Sequence, residues 1–348
     1  MESRQLQQDL DVISHYIKNN FSGGSTFFVT GGTGLIGSLI IKAILQYNRT
    51  AENKMKVITT VRSREKFNEV FCEYVGDLYL KAIYKDVIDG QFDVTDQIDY
   101  IVHTACPTNS KYFISNPVEV LDTIYIGTRN VLEIAKKHNV VGMVYLSSME
   151  VFGQTFKEQR LTENDLGYID IGSLRSCYPE GKRAAECLCN AFAEEYGVPV
   201  CIARLAQTFG AGVSKHENRV FAQFAKSAIR GEDIVLHTTG QSVGNYCYTV
   251  DAVKAILLLL QQGLKGEVYT VVNEKATMTI ADMAKLVALN FSNGKSKIVF
   301  DIPDGNRYGY AEETKMKLSS EKLRTLGWGS SVDLIEAYRR LIDDIMDE

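Results

Sequence analysis

Thr26-Phe27-Phe28-Val29-Thr30-Gly31-Gly32-Thr33-Gly34-Leu35-Ile36-Gly37 joins a short apolar run of strand type to a glycine-rich turn, and the helical stretch 35–47 follows directly. Within the turn the glycines stand at the first, fourth and seventh positions. Only glycine lets the backbone turn tightly there and approach a pyrophosphate, whose charge then sits on the exposed N–H groups and dipole of the helix N-terminus. Gly31, Thr33, Gly34, Leu35, Ile36 and Gly37 are therefore the first candidate cofactor-binding residues.

Working outward, the same alternation recurs: strands at 56–61, 100–103, 142–147 and 200–205, and helices at 118–138 and 179–196. Strands joined by helices of this length need right-handed crossovers, hence a parallel sheet covered on both faces. The predicted fold class is α/β, a Rossmann-type doubly wound parallel sheet with a smaller α/β substrate-binding lobe. Upstream, Leu6, Leu10, Ile13 and Ile17 keep helical spacing until Ser22-Gly23-Gly24-Ser25 breaks it, so 1–24 reads as a helical extension packed on the body. The dinucleotide-binding domain is assigned to 25–205, with 235–272 returning to it, and the substrate lobe to 206–234 and 273–348. A helix at 218–230, a strand pair around 234–250 and a helix running through Leu260 are expected in this second half.

Composition bounds the function. The 348 residues are 45% hydrophobic, enough for a sizeable core. Lys+Arg 38 against Asp+Glu 43 leaves a net charge of -5 and no basic field for nucleic acid or an anionic membrane. The seven cysteines include no C-x-x-C pair, which argues against a disulfide framework and a metal site and for reduced thiols in the cytoplasm. The longest apolar run, near 255–260, is too short to span a bilayer.

In NAD-specific sites an acid at the end of the second strand binds the adenosine ribose. Here that strand ends in Val61-Arg62-Ser63-Arg64. Arg62 suits a 2′-phosphate, which a guanidinium can hold with two hydrogen bonds, so NADP is favoured over NAD. Asp86-Val87, after the third strand region, is placed to read the adenine edge. Further on, Tyr178-Pro179-Glu180-Gly181-Lys182 opens a helix, with Pro179 suited to its first turn. A spacing of four puts Tyr178 and Lys182 on one face, where the ammonium can lower the phenol pKa and let Tyr178 exchange a proton with a substrate hydroxyl. Ser148 closes an apolar strand at its carboxyl end, where such folds bind ligands, and is the third candidate catalytic residue.

TGGTGLIGS, YLSSMEVFG and CYPEGKRAAE, in that order and separation, resemble the extended short-chain dehydrogenases, specifically the NAD-dependent epimerase/dehydratase family acting on nucleotide sugars, over about residues 26–328. CYPEGKRAAE, ARLAQTFGAGV and RVFAQF are most similar to its UDP-glucuronate decarboxylase branch. The resemblance implies a Ser148-Tyr178-Lys182 site that oxidises a sugar carbinol, usually at C4. It also implies cofactor contacts from Thr104, Ala105, Leu205, Tyr178 and Lys182, substrate contacts from Gln207, Arg219 and Arg307, no metal, and a homodimer built on helices 118–138 and 179–196. Family dehydratases carry an Asp-Glu pair after the catalytic Ser/Thr. Here the pair is Met149-Glu150, so elimination lacks its acid while Glu150 remains a catalytic candidate.

The chain departs from the family pattern at four places, one of them Gln207, which replaces a substrate-binding Asn. Ile124 replaces a supporting Asn. Gly244 stands where an Arg clamps the nucleotide diphosphate, leaving Arg219, Arg307 or Lys215 for that task. Tyr310 replaces the acid that follows Arg307. His103 is read as a core or cofactor-packing residue. The leading functional expectation is a nucleotide-sugar epimerase working through a transient 4-keto sugar. A decarboxylase of UDP-glucuronate type and an NADPH-dependent 4-keto-sugar reductase stand beside it. A dinucleotide-binding regulator without chemistry is the remote alternative, disfavoured because Tyr178 and Lys182 are both present.

Overall fold

Side-chain alternation along the central strands divides the core into two layers. In β1 (Thr26–Thr30) Phe27 and Val29 enter one cluster and Phe28 the other. The split repeats in β2 (Lys56–Val61), where Val57 faces one side and Ile58 the other, and in β4 (Tyr100–His103), with Val102 and Ile101. It continues through β5 (Gly142–Ser148) and β6 (Val200–Leu205). Strands apolar on both sides must be covered on both faces. The computed structural model, which describes residues 2–90, 92, 94–303 and 313–347, shows that coverage. With β3 (Leu80–Tyr84) and β10 (Val268–Val271), these strands form a seven-stranded sheet in the order β10-β6-β5-β4-β1-β2-β3. All neighbours are parallel. The order reverses between β1 and β4, and the crevice at that reversal is where such sheets bind ligands.

One face carries α2 (Leu35–Asn48), α8 (Thr249–Gln262) and the N-terminal α1 (Arg4–Asn20). The other carries α5 (Pro117–His138) and α6 (Cys177–Tyr196), which pack along each other. Two short helices, α3 (Arg64–Val70) and α4 (Ser110–Ser115), fill the connections after β2 and β4. In α1, Leu6, Leu10, Ile13 and Ile17 are buried, each stabilising by about 1.5–3 kcal/mol relative to exposure. The helix is also tied down by polar contacts, since Asp9 accepts hydrogen bonds from the Tyr248 hydroxyl and the Arg340 guanidinium.

The remaining elements lie outside this sheet and form two smaller ones with their helices. β7 (Gln207–Phe209), β9 (Val243–Tyr248) and β11 (Asn273–Thr279) form a three-stranded sheet. β8 (Ile234–Leu236) pairs with β12 (Ile298–Phe300). Helices α7 (Val220–Arg230), α9 (Ile280–Phe291), α10 (Glu321–Arg324) and α11 (Leu334–Asp347) complete the chain. The two strands expected around 234–250 are present, but they do not pair with each other. The link between them is pinned to the start of α9, where the amides of Ala281 and Ile280 donate to the carbonyls of Gly240 and Ser242. Each strand therefore finds a partner from later in the sequence.

Candidate functional site

The glycine-rich turn leaves no room for a side chain at Gly31, Gly32 or Gly37. Gly31 sits at φ +65, and a Cβ there would lie 2.8 Å from the Ala105 Cα; one on Gly37 would lie 2.6 Å from the Gly31 carbonyl oxygen. Gly34 is the N-cap of α2 and provides no side-chain cap, which leaves the helix N-terminus open to an anion. Thr30 fixes the turn against β4. Its hydroxyl oxygen accepts from the amides of Thr104 and Ala105, both at 3.2 Å, and is hydrogen-bonded to His103 Nδ1 at 2.7 Å. His103 Nε2 lies 3.1 Å from the Thr128 hydroxyl. Burial pushes the His103 imidazole down to about 3, so it packs as a neutral ring.

A cleft opens over this turn. Gly31, Thr33, Gly34, Arg62, Asp86, Val87, Thr104 and Ala105 line it, all of them candidates from the sequence. Leu35, Ile36 and Gly37 begin α2 behind the turn, and Leu205 ends β6 opposite Ser148. The glycine cradle, the uncapped helix and the polar ends of β2 and β3 fit a dinucleotide. The sequence reading missed Thr60, Val61, Lys85, Cys106, Pro107 and Thr123. The carboxyl-end rule could have found the first three, because they end β2 or follow β3. Thr123 reaches the cleft from α5, and only the packing of that helix brings it there.

At the neighbouring strand end, β5 and α6 bring the catalytic candidates together. Tyr178 is buried, and its ring stacks on Phe113 with centroids 4.4 Å apart and planes at 11°. Its phenol is hydrogen-bonded to Ser148. Lys182 donates to the Leu146 carbonyl at 2.7 Å, and its ammonium lies 5.9 Å from the centre of the Tyr178 ring. The ammonium was expected to lower the phenol pKa. Burial instead pushes the phenol well above its ordinary value, with the nearby Cys106 and Glu150 adding to the rise and Ser148 and Arg219 pulling the other way. Lys182 is anchored to a backbone carbonyl rather than turned toward the phenol oxygen.

Glu150 sits in a short 3-10 turn after Ser148, whose hydroxyl accepts the Glu150 amide at 3.2 Å. Its carboxylate is gripped by both terminal nitrogens of Arg175, at 2.8 and 3.1 Å. Sequence reasoning did not single out Arg175. Behind the site, Glu186 of α6 accepts from Arg204 of β6, with Nη2 at 2.7 Å and Nε at 3.0 Å, and from the Ser147 hydroxyl. This buried ionic cluster fixes β5, β6 and α6 relative to one another. Ile124 is buried against Gly181, so the place of the expected Asn is filled by packing.

The substrate candidates converge less completely. Arg219 precedes α7 without capping it through its side chain, is paired with Glu217 at 2.7 Å, and its charge is felt at Tyr178. Gln207 begins β7 and is half-buried. The Lys215 carbonyl accepts from Lys226 at 2.7 Å. Arg307 and Tyr310 lie outside the described residues. At Gly244, the space into which a side chain would emerge is filled by the Tyr246 hydroxyl, 2.3 Å from the Cβ position. No side-chain cation can leave the backbone there without moving Tyr246.

The model of the NAD dependent epimerase/dehydratase family matches residues 27–272. UDP-glucuronic acid decarboxylase 6 of Arabidopsis thaliana is 29% identical over 93% of this chain and 90% of its own length. UDP-glucuronic acid decarboxylase 1 of Xenopus tropicalis is 27% identical over 90% of this chain and 70% of its own length. Among solved structures, the UDP-glucose 4-epimerase of Thermotoga maritima, determined with UDP-glucose, superimposes with a TM-score of 0.78 at 23% identity. It covers 92% of this chain and 98% of its own.

Proposed function

The chain belongs to the NAD-dependent epimerase/dehydratase family, and we propose that it oxidises C4 of a UDP-linked hexuronic acid and releases the carboxyl group from the resulting 4-keto sugar. The observation that carries this reading is the convergence of the Tyr178 phenol, the Ser148 hydroxyl, Lys182 and the Glu150–Arg175 pair beside the glycine cradle. Similarity to UDP-glucuronic acid decarboxylases over most of the chain supports the substrate class.

A nicotinamide dinucleotide held by Gly31, Gly34, Thr104 and Ala105 would supply the hydride acceptor for the sugar C4 and the hydride for the later reduction. Tyr178 takes the proton of the C4 hydroxyl, with Ser148 holding that oxygen; the phenolate this needs forms once Lys182 turns from the Leu146 carbonyl and its charge offsets the burial that raises the phenol. A ketone at C4 places the C5 carboxylate β to a carbonyl, so CO2 can leave while the electron pair passes into an enolate. Glu150, oriented by Arg175, faces this reaction centre, and a proton then restores C5. The absence of a second acid at Met149 fits a path without elimination.

Epimerisation is the second reading, and one observation favours it. The Arg175 guanidinium is already engaged by Glu150, so a sugar without a carboxylate would need no additional cation and could be reduced again from its other face. NADP is the cofactor we favour, through Arg62 at the end of β2. We also propose a homodimer in the cytoplasm. The α5 face exposes Val118, Leu121 and Tyr125, the adjoining α6 face exposes Ala184, Cys187 and Ala191, and two copies can bury these in a four-helix bundle.

Incubating the enzyme with dinucleotide and UDP-glucuronate, followed by mass spectrometry and absorbance at 340 nm, tests the proposal. A UDP-pentose with no net reduced cofactor is expected. An isomeric UDP-hexuronate, or an isomeric UDP-hexose when UDP-glucose is supplied instead, would establish the epimerase, and stoichiometric NADPH consumption with 4-keto sugars would establish the reductase. No reaction with any of these sugars overturns the nucleotide-sugar reading.

A further inference from the structure

At the adenosine end of the cleft the cationic groups are not equally available. Arg64 is spent on a neighbour, its guanidinium lying 4.2 Å from the centre of the Tyr84 ring. Ser63 caps α3, accepting the Lys66 amide and donating to Glu65. Arg62 is different. Its side chain is 69% exposed and its ion pair is a loose one, 3.7 Å to Asp86 Oδ2. Asp86 is the fixed member of that pair. Its other oxygen accepts the Ile88 amide at 3.2 Å, while its own amide donates to Asp89 at 3.0 Å, closing a reciprocal cap on the turn after β3. Arg62, Lys85 and Asp86 line the same wall of the cleft. The Glu119 carboxylate, hydrogen-bonded by Tyr112, stands nearby.

We infer that Asp86 sets the balance between NADP and NAD by competing with the adenosine 2′-phosphate for the Arg62 guanidinium. The inference rests on the dinucleotide reading of the cleft and goes beyond it. With NAD bound, Arg62 stays on Asp86 beside the ribose diol and neither charge is left bare. With NADP, the long exposed arginine turns from the anchored carboxylate to the phosphate, which offers more acceptor oxygens and greater charge. Because an exposed ion pair is weak, the competition is mild. The chain therefore accepts both cofactors, with a modest preference for the phosphorylated one.

Isothermal titration of the full-length protein, stripped of nucleotide, with NAD+ and with NADP+ tests this through the ratio of the two affinities. Any contact of Asp86 with the adenine cancels in that ratio. Asp86→Asn is expected to raise the NADP:NAD ratio by about threefold, the scale of a lost exposed ion pair, and Arg62→Ala to lower it by about tenfold. Raising the salt concentration shrinks both effects because the groups are exposed. An Asp86→Asn ratio equal to or below that of the wild type overturns the competition while leaving the cleft assignment intact. Failure of the wild type to bind either dinucleotide sinks the cleft assignment as well. Both substitutions are on the surface, and circular dichroism confirms that the variants are folded.

Discussion

The half of the crevice proposed for the cofactor and the half proposed for catalysis are built in opposite ways. On the β1, β2 and β4 side, contact comes from backbone: Gly31, Gly34 and Gly37 remove side chains so that amides and a helix end are exposed. On the β5, β6 and α6 side, contact comes from side chains pinned by several partners each, as with Tyr178 between Phe113 and Ser148, Glu150 on Arg175, and Glu186 on Arg204 and Ser147. Backbone recognition is sensitive to an added atom and nearly indifferent to charge. Side-chain chemistry is sensitive to a removed atom and depends on buried electrostatics.

That contrast is broken or sharpened by substitutions on each side. Tyr178→Phe removes one buried oxygen and is expected to cut turnover by about a thousandfold while dinucleotide affinity, read by titration calorimetry, stays within a factor of two or so. Comparable loss of both would erase the division between the halves. Glu186→Ala strands the buried Arg204, and a stability loss of about 3–5 kcal/mol is expected in urea unfolding. A loss below about 1 kcal/mol would mean that the cluster does not hold the catalytic strands.

On the other side, Gly31→Ala adds one carbon at a positive φ and against the Ala105 backbone. Dinucleotide affinity should fall by about tenfold to a hundredfold, following the strain of 1–3 kcal/mol expected for overpacking. Unchanged affinity would show that the turn does not approach a ligand. The most gradual effect concerns His103, on β4 between the two halves, because it is spread over several pH units. Its folded pKa is depressed to about 3, so below pH 6.5 the unfolded chain binds a proton that the folded chain refuses. Stability should therefore fall by up to about 1.4 kcal/mol per pH unit between pH 6.5 and about 3. In His103→Asn that component is absent, and the difference between the two urea-unfolding profiles isolates it; parallel profiles would remove His103 from the account.

How much could be read in advance follows the same division. The strand-turn-helix at 26–47 announced itself because its signals are local: a two-residue period, three glycines, then a helical period. Tyr178 and Lys182 were legible for the same reason, lying four apart on one helix. Arg175, Phe113 and Thr123 were not, because their partners are distant in sequence and their spacing carries no period. The lobe strands β8 and β9 were placed near one another yet assigned to one pair, since local pattern marks a strand but not its neighbour. Arg62 was visible as a cation at the end of β2, whereas its ion pair with Asp86 depends on β2 and β3 lying side by side.

By itself, then, the sequence determined the class of sheet, the position of the glycine-rich turn and the placing of Tyr178 and Lys182 on one helix, since each is fixed by backbone conformation and side-chain type within a few residues. Only the tertiary structure decided which carboxylates are neutralised, how high the Tyr178 phenol is pushed, and which strands close the lobe. Those outcomes depend on burial and on distances between elements far apart along the chain. Desolvation and Coulomb attraction act through space, and no local pattern records them.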